Sequence, residues 1–246
     1  MKTLKVPSTP RTAVVWSVIT DELAGTVTAG DHRIVDVGGG TGGFAVPLAQ
    51  AGYQVTVVDP SPNALAGLTR RAADAGAADR VHAVQGDADS VADLVPPNSV
   101  RFALCHSVLE MVDSPESALR AIATVLAPGG AVSLLVANRA GAVLSRVSGG
   151  HLSEATTMLS DDDGRFAERD TLRRRFDPES IHDLVLRVGL VPQRRHGVQI
   201  ATELVPGHET ESDAGRALFD FELAVAGISP YRDIAAQVHI LARKPS

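Results

Sequence analysis

Short β-branched runs alternate with segments of helical periodicity along the first half of the chain. Within residues 10–24, Val14, Val15, Val18, Ile19 and Leu23 fall at the spacing of one apolar helix face. Arg33 to Val37 predicts a first strand, with a helix following to about residue 51. Gln54 to Asp59 predicts a second strand, after which Ser61-Pro62 opens a helix over 61–76 with a capping hydroxyl and a proline in the first turn. Arg80–Gln85 and Val100–His106 predict strands three and four. A helix over Pro115–Leu126 and a fifth strand over Ala131–Ala137 follow. Strands alternating with helices imply right-handed crossovers and a parallel sheet, so the fold class is α/β.

The rhythm breaks after residue 138. Residues Arg139–Arg175 are polar and charged, with weak helical stretches at 140–148 and 152–159 before a clear helix over 177–189. A stretch this long between regular elements predicts a functional lid. Val191–Ala201 and Ile234–Arg243 are β-rich and separated by a helix near 211–226, a pattern that can close the sheet with an antiparallel edge pair. The expected organisation is a single domain over 1–246. It comprises an N-terminal helical segment (1–29), a nucleotide-binding core (30–138), a lid (139–176) and a C-terminal part completing the sheet (177–246).

Composition narrows the class. A chain of 246 residues with 44% hydrophobic content is long enough for one well-buried α/β core. No apolar run reaches the roughly 18 residues a bilayer span needs, and the N-terminus lacks the apolar core of a signal peptide. The single cysteine excludes an internal disulfide framework and a Cys-based zinc site. The expectation is a cytoplasmic protein with no membrane partner. A net charge of −6 disfavours broad nucleic-acid binding, which needs cations against phosphates. Arg173-Arg174-Arg175 and Arg194-Arg195-His196 remain candidates for local basic patches.

The chemistry centres on Arg33-Ile-Val-Asp-Val-Gly-Gly-Gly-Thr-Gly-Gly43, a strand running into a glycine-dense turn and then a helix. Glycines let a ligand approach main-chain N–H groups that a Cβ would shield. Gly38-x-Gly40-x-x-Gly43 satisfies the dinucleotide fingerprint, and Gly38-x-Gly40-x-Gly42 the looser S-adenosylmethionine (SAM) pattern. Asp59, at the end of strand two, can accept hydrogen bonds from both ribose hydroxyls of a nucleoside, or instead cap the next helix. Strand three ends in Gln85-Gly-Asp-Ala-Asp89, where the amides of Ala88 and Asp89 can contact adenine. His106 ends strand four at the same sheet edge, as a site residue or a structural one, and Cys105 reads as a small buried residue. Neither a Tyr-x-x-x-Lys pair nor a His/Asp relay of recognisable spacing is present for hydride chemistry.

The order VDVGGGTGG, VVDPSP, QGDAD, LCHSVLEMVDSP and LAPGG resembles a class I SAM-dependent methyltransferase over roughly residues 30–138. That resemblance implies a Rossmann-like, mostly parallel sheet of seven strands, helices on both faces, and strand seven antiparallel between strands five and six. Pro10-Arg11 to Trp16, Asn138 to Gly141, Ser148-Gly-Gly150, His196-Gly-Val198 and Val238 to Pro245 are similar to the tRNA 5-carboxymethoxyuridine methyltransferase family, which esterifies a wobble-uridine carboxyl group. By position it implies SAM contacts from Arg11, Gly38, Gly39, Gly40, Asp59, Pro60, Ala88, Asp89 and His106. A guanidinium at Arg11 can pair bidentately with the methionine carboxylate. Gly43 becomes a packing residue. The stretches Gln199-Ile-Ala-Thr202 and Ala235-Ala-Gln237 are poor in cations.

The expected activity is transfer of the SAM methyl to an oxygen nucleophile, leaving S-adenosylhomocysteine. The acceptor is tRNA or, alternatively, a small metabolite. A carboxylate acceptor is ionised at neutral pH and needs no base. A hydroxyl or amine would draw on His106, His151, His196 or His239. No metal is expected. A non-catalytic nucleotide-binding protein and an NAD-dependent enzyme are the competing classes.

Overall fold

In the computed structural model, residues 9–10, 12–26, 33–202, 205 and 212–246 are described. The predicted alternation holds. Strands β1 (Arg33–Val37), β2 (Gln54–Asp59), β3 (Val81–Gln85), β4 (Val100–His106) and β5 (Leu126–Ala137) are joined by helices. These are α2 (Ala45–Ala51), α3 (Pro62–Asp74), α4 (Val91–Leu94) and α5 (Pro115–Val125), with α1 (Ala13–Thr26) preceding β1. After β5 come α6 (Arg139–Ser148), α7 (Leu152–Ser160), α8 (Pro178–Arg187), β6 (Val191–Val198), α9 (Asp213–Val225) and β7 (Gln237–Arg243).

The seven strands form one sheet in the order β3-β2-β1-β4-β5-β7-β6. Strands β1 to β5 pair in parallel, and β7 inserts antiparallel between β5 and β6. Order reverses between β1 and β4, so the carboxyl ends of those strands open the crevice where ligands bind in doubly wound sheets. β5 begins earlier than the pattern predicts. Leu126 already pairs with Val100, and Ala127–Gly130 then bulge out before register resumes at Phe102–Ala131.

Strand alternation feeds two cores. On one face Val35, Ala103, Cys105, Leu134 and Ile240 pack with α5 and α8 through Leu119, Ile122, Ile181 and Val185. On the other Ile34, Val57, Leu104 and Leu241 pack with α1, α2 and α3 through Val15, Ile19, Leu48 and Leu68. One ion pair and one lysine hydrogen-bond cluster tie α1 and the C-terminal strand to this frame. Buried Glu22 of α1 receives Arg243 of β7 in a fork at 2.7 and 2.9 Å. Lys244 Nζ donates to Asn98 and to the carbonyls of Ala123 and Leu126, each at 2.8 Å.

The 139–176 stretch is more regular than its composition suggests. α6 and α7 pack against one another, and Arg175 forks onto buried Asp170 at 2.6 and 3.2 Å. Each arginine of the run 173–175 faces a carboxylate: Arg173 meets Asp113, Arg174 meets Asp163 and Arg175 meets Asp170. Arg194 faces Asp21, and Arg195 faces Glu179 and Asp233. Both candidate basic patches are therefore internally neutralised, because the acidic residues lie close in space though distant in sequence. No described helix is long and apolar enough to cross a membrane.

Candidate active site

A cavity of about 490 Å³ opens over the carboxyl ends of β1, β2, β3 and β4. Of the predicted positions it gathers Gly38, Asp59, Pro60, Ala88 and Asp89 on its walls, with Ser107, Val108, Met111 and Val112 opposite. β1 ends at Val37 because Gly38 turns into the left-handed region (φ +70°), where its N–H still reaches the Val58 carbonyl at 2.7 Å. A Cβ on Gly38 would lie 2.3 Å from Val108 Cγ2.

Asp59 does more than face the cavity. Its Oδ2 accepts the Gly40 amide and its Oδ1 the Ser61 amide, both at 2.9 Å, so it braces the turn and the start of α3 without being that helix's cap. Ser61 caps α3 by accepting from Ala64 N. Each Asp59 oxygen keeps a second lone pair for a ribose hydroxyl. Gly39 and Gly40 do not line the cavity; Gly39 lies directly over Asp36, whose Oδ2 would be 2.5 Å from an added Cβ.

The turn discriminates between the two glycine fingerprints. Gly38, Gly40 and Gly42 all have positive φ, and a Cβ on Gly42 would meet Leu68 Cδ1 at 2.3 Å. Gly43 has no positive φ, and an added Cβ there would meet nothing within 4 Å. Gly43 is thus not the packing residue the sequence suggests; that role belongs to Gly42. Two carboxylates also stand at the turn. Buried Asp36 has its Oδ2 without a hydrogen-bond partner among the described residues, and burial with Asp59 nearby raises its pKa to about 7.

His106 departs from its predicted place. It does not line the cavity. Its ring packs edge-on against Phe44, and Nε2 lies 2.8 Å from Ser133 Oγ, turned to the α1–α2 face of the sheet by strand alternation. Burial lowers its pKa to about 3, so the ring is neutral. Arg11 lies outside the described residues.

A second cavity, about 520 Å³, lies beyond the end of β5 and is walled by Gly141, Leu144, Arg175, Gln199, Ile200 and Ala236, among others. A polar chain joins the two: Gln199 Nε2 donates to Gln237 Oε1 at 3.0 Å, and Gln237 Nε2 to Ser107 Oγ at 3.2 Å. Sequence reasoning missed Ser107 and Gln237; Ser107 carries a signal, as a polar residue just beyond a strand's carboxyl end, whereas Gln237 opens β7 and reaches this edge only because β7 runs antiparallel. Buried Glu222 of α9 shapes the same wall. It accepts the amides of Ile200, Ala201 and Thr202 at 2.8–2.9 Å.

Residues 35–134 match the family model of the methyltransferase domain. This protein is a SAM-dependent methyltransferase. It is 26% identical to the tRNA 5-carboxymethoxyuridine methyltransferase of Escherichia coli K12 over 96% of this chain and 88% of that one. It is 33% identical to the ubiquinone biosynthesis O-methyltransferase of Ralstonia nicotianae, over 46% of each chain. Its fold is that of the geranyl diphosphate C-methyltransferase of Streptomyces coelicolor A3(2), solved with S-adenosylhomocysteine. The TM-score is 0.60 at 17% identity, covering 93% of this chain and 74% of the other. The methyl donor of this methyltransferase is SAM, on the strength of the domain match over residues 35–134 and the likeness to the tRNA methyltransferase.

Proposed function

We propose that this methyltransferase moves the SAM methyl to an oxygen nucleophile lodged in the second cavity. The observation that carries this is the Ser107–Gln237–Gln199 chain, which joins that cavity to the one over the glycine turn. SAM supplies an activated sulfonium methyl; the protein's task is alignment and exclusion of water. Gly38, Asp59, Pro60, Ala88 and Asp89 hold the nucleoside and methionine parts. His106 contributes from the far face of β4 rather than by direct contact. The α6–α7 pair acts as the lid over the acceptor.

Two acceptor classes have support. Similarity along nearly the whole chain to a tRNA 5-carboxymethoxyuridine methyltransferase favours a carboxylate on a wobble uridine. The second cavity itself favours a neutral small metabolite with a hydroxyl. Among the described residues its one lining cation, Arg175, is already forked onto Asp170, and the other polar side chains are amides and hydroxyls. Mass spectrometry of tRNA nucleosides from cells lacking the protein separates them. A missing uridine methyl ester establishes tRNA; an unchanged profile, with methyl transfer from labelled SAM into a metabolite extract, establishes the small acceptor.

A further inference from the structure

The Ser107–Gln237–Gln199 chain ends on two residues with left-handed backbones. Ser107 and Gln199 have φ of +57° and +60°; the other described non-glycine residue there is Asn98, a residue type that enters this region readily. A glutamine held in this conformation calls for a reason, because such strain gathers at functional sites. The fold fixes both ends. The Ser107 amide donates to the Leu135 carbonyl at 2.8 Å, and the Gln199 carbonyl accepts the Ala236 amide at 3.2 Å. Glu222 grips the three amides that follow Gln199. Ser107 thereby lines the first cavity and Gln199 the second.

The hydrogen bonds give the chain a direction. Gln199 Nε2 donates to Gln237 Oε1, and Gln237 Nε2 donates to Ser107 Oγ. Gln199 Oε1 is left as an acceptor with no partner among the described residues. The other polar groups of the second cavity are committed or indifferent. Asn138 Nδ2 donates to the carbonyls of Asp233 and Ala235 at 3.0 and 2.7 Å, and its Oδ1 accepts the Ala140 amide at 3.2 Å. Arg175 engages Asp170 and the Gly164 carbonyl. The hydroxyls of Ser145 and Ser148 can donate or accept.

We propose that Gln199 is the specificity-determining residue of the acceptor site: its side-chain carbonyl accepts the hydrogen bond of a hydroxyl acceptor and turns away a carboxylate. This role rests on the oxygen-acceptor reading above and selects the small hydroxylated acceptor within it. An O–H satisfies the free carbonyl. A carboxylate sets a second acceptor against it and leaves both unpaired, and a site built around one hydrogen bond rejects a ligand that cannot make it. The amide binds and orients the hydroxyl; it does not remove the proton. Gln237, which lines neither of the two cavities, sets which end of the Gln199 amide points inward. A side chain at 237 that only accepts keeps Gln199 Nε2 towards itself and Oε1 in the cavity. One that only donates turns the amide round.

Labelled SAM incubated with a dilute metabolite extract tests this. Methyl esters lose their label as methanol in mild alkali, whereas methyl ethers survive it and lose the label as methyl iodide in hot hydriodic acid. Wild type should label the ether fraction. Gln199→Leu and Gln237→Lys should each slow ether labelling about tenfold or more, and Gln237→Glu far less than Gln237→Lys. S-adenosylhomocysteine affinity should hold in Gln199→Leu, which separates a lost hydrogen bond from a lost fold; the Gln237 pair decides if that variant folds poorly. Equal loss in the two Gln237 variants, ether labelling indifferent to Gln199→Leu, or label in the ester fraction overturns the role of Gln199 alone. A uridine methyl ester missing from the tRNA of cells lacking the protein does the same. No label in either fraction, with an unchanged tRNA profile, overturns the oxygen-acceptor reading and the role of Gln199 with it.

Discussion

Asp59 Oδ2 holds the Gly40 amide at 2.9 Å across 19 positions of sequence, so the acid at the end of β2 fixes the glycine turn it faces. On the proposed cofactor site, Asp59→Ala removes a ribose acceptor and loosens the turn together. S-adenosylhomocysteine affinity by calorimetry should fall about tenfold or more, the loss of one to two charged hydrogen bonds. Unchanged affinity would sink the assignment of this cavity to the cofactor.

The two glycines next to one another should answer differently. Gly42→Ala places a methyl against Leu68 in a left-handed conformation and should cost about 1–3 kcal/mol in chemical denaturation. Gly43→Ala enters open space and should change stability by less than about 0.5 kcal/mol. Equal costs would contradict the turn geometry.

Asp36 makes stability depend on pH. Burial, then the Asp59 charge, lifts its folded pKa from 3.8 to about 7. The folded state thus binds its proton more tightly than the unfolded one. Its contribution is fully present below about pH 4 and is lost as pH rises through 7. Glu110, lifted to about 7 by burial, adds the same sign, so the test is a difference. Asp36→Asn should gain of order 1 kcal/mol on wild type between pH 5 and pH 8 in urea titrations. Parallel pH profiles for the two proteins would refute this.

Glu222 collects three consecutive amides and the Thr202 hydroxyl from inside the fold. Glu222→Leu leaves those amides without an acceptor and should destabilise the protein by about 2–4 kcal/mol. Because Ile200 walls the second cavity, acceptor KM should rise while S-adenosylhomocysteine affinity holds. A loss confined to cofactor affinity would place this wall elsewhere.

Local pattern determined much of this protein. β1, β2 and β4 fall where β-branched runs predict them, since hydrophobic periodicity is a property of neighbours in sequence. The turn and Asp59 were legible for the same reason: their chemistry is written within one βα unit. Regular helices over 139–160 were only faintly visible, because Arg146–Glu154 and Arg175–Asp170 pairing steadies a polar stretch through contacts the sequence does not order. Which glycine of the turn is indispensable depended on where Leu68 of α3 lands. The side of β4 on which His106 projects, and the company it keeps with Ser133, His239 and His196, required the insertion of β7 between β5 and β6. Sequence carries the period of each strand; only the sheet's order and register decide which side chains from distant strands share a face.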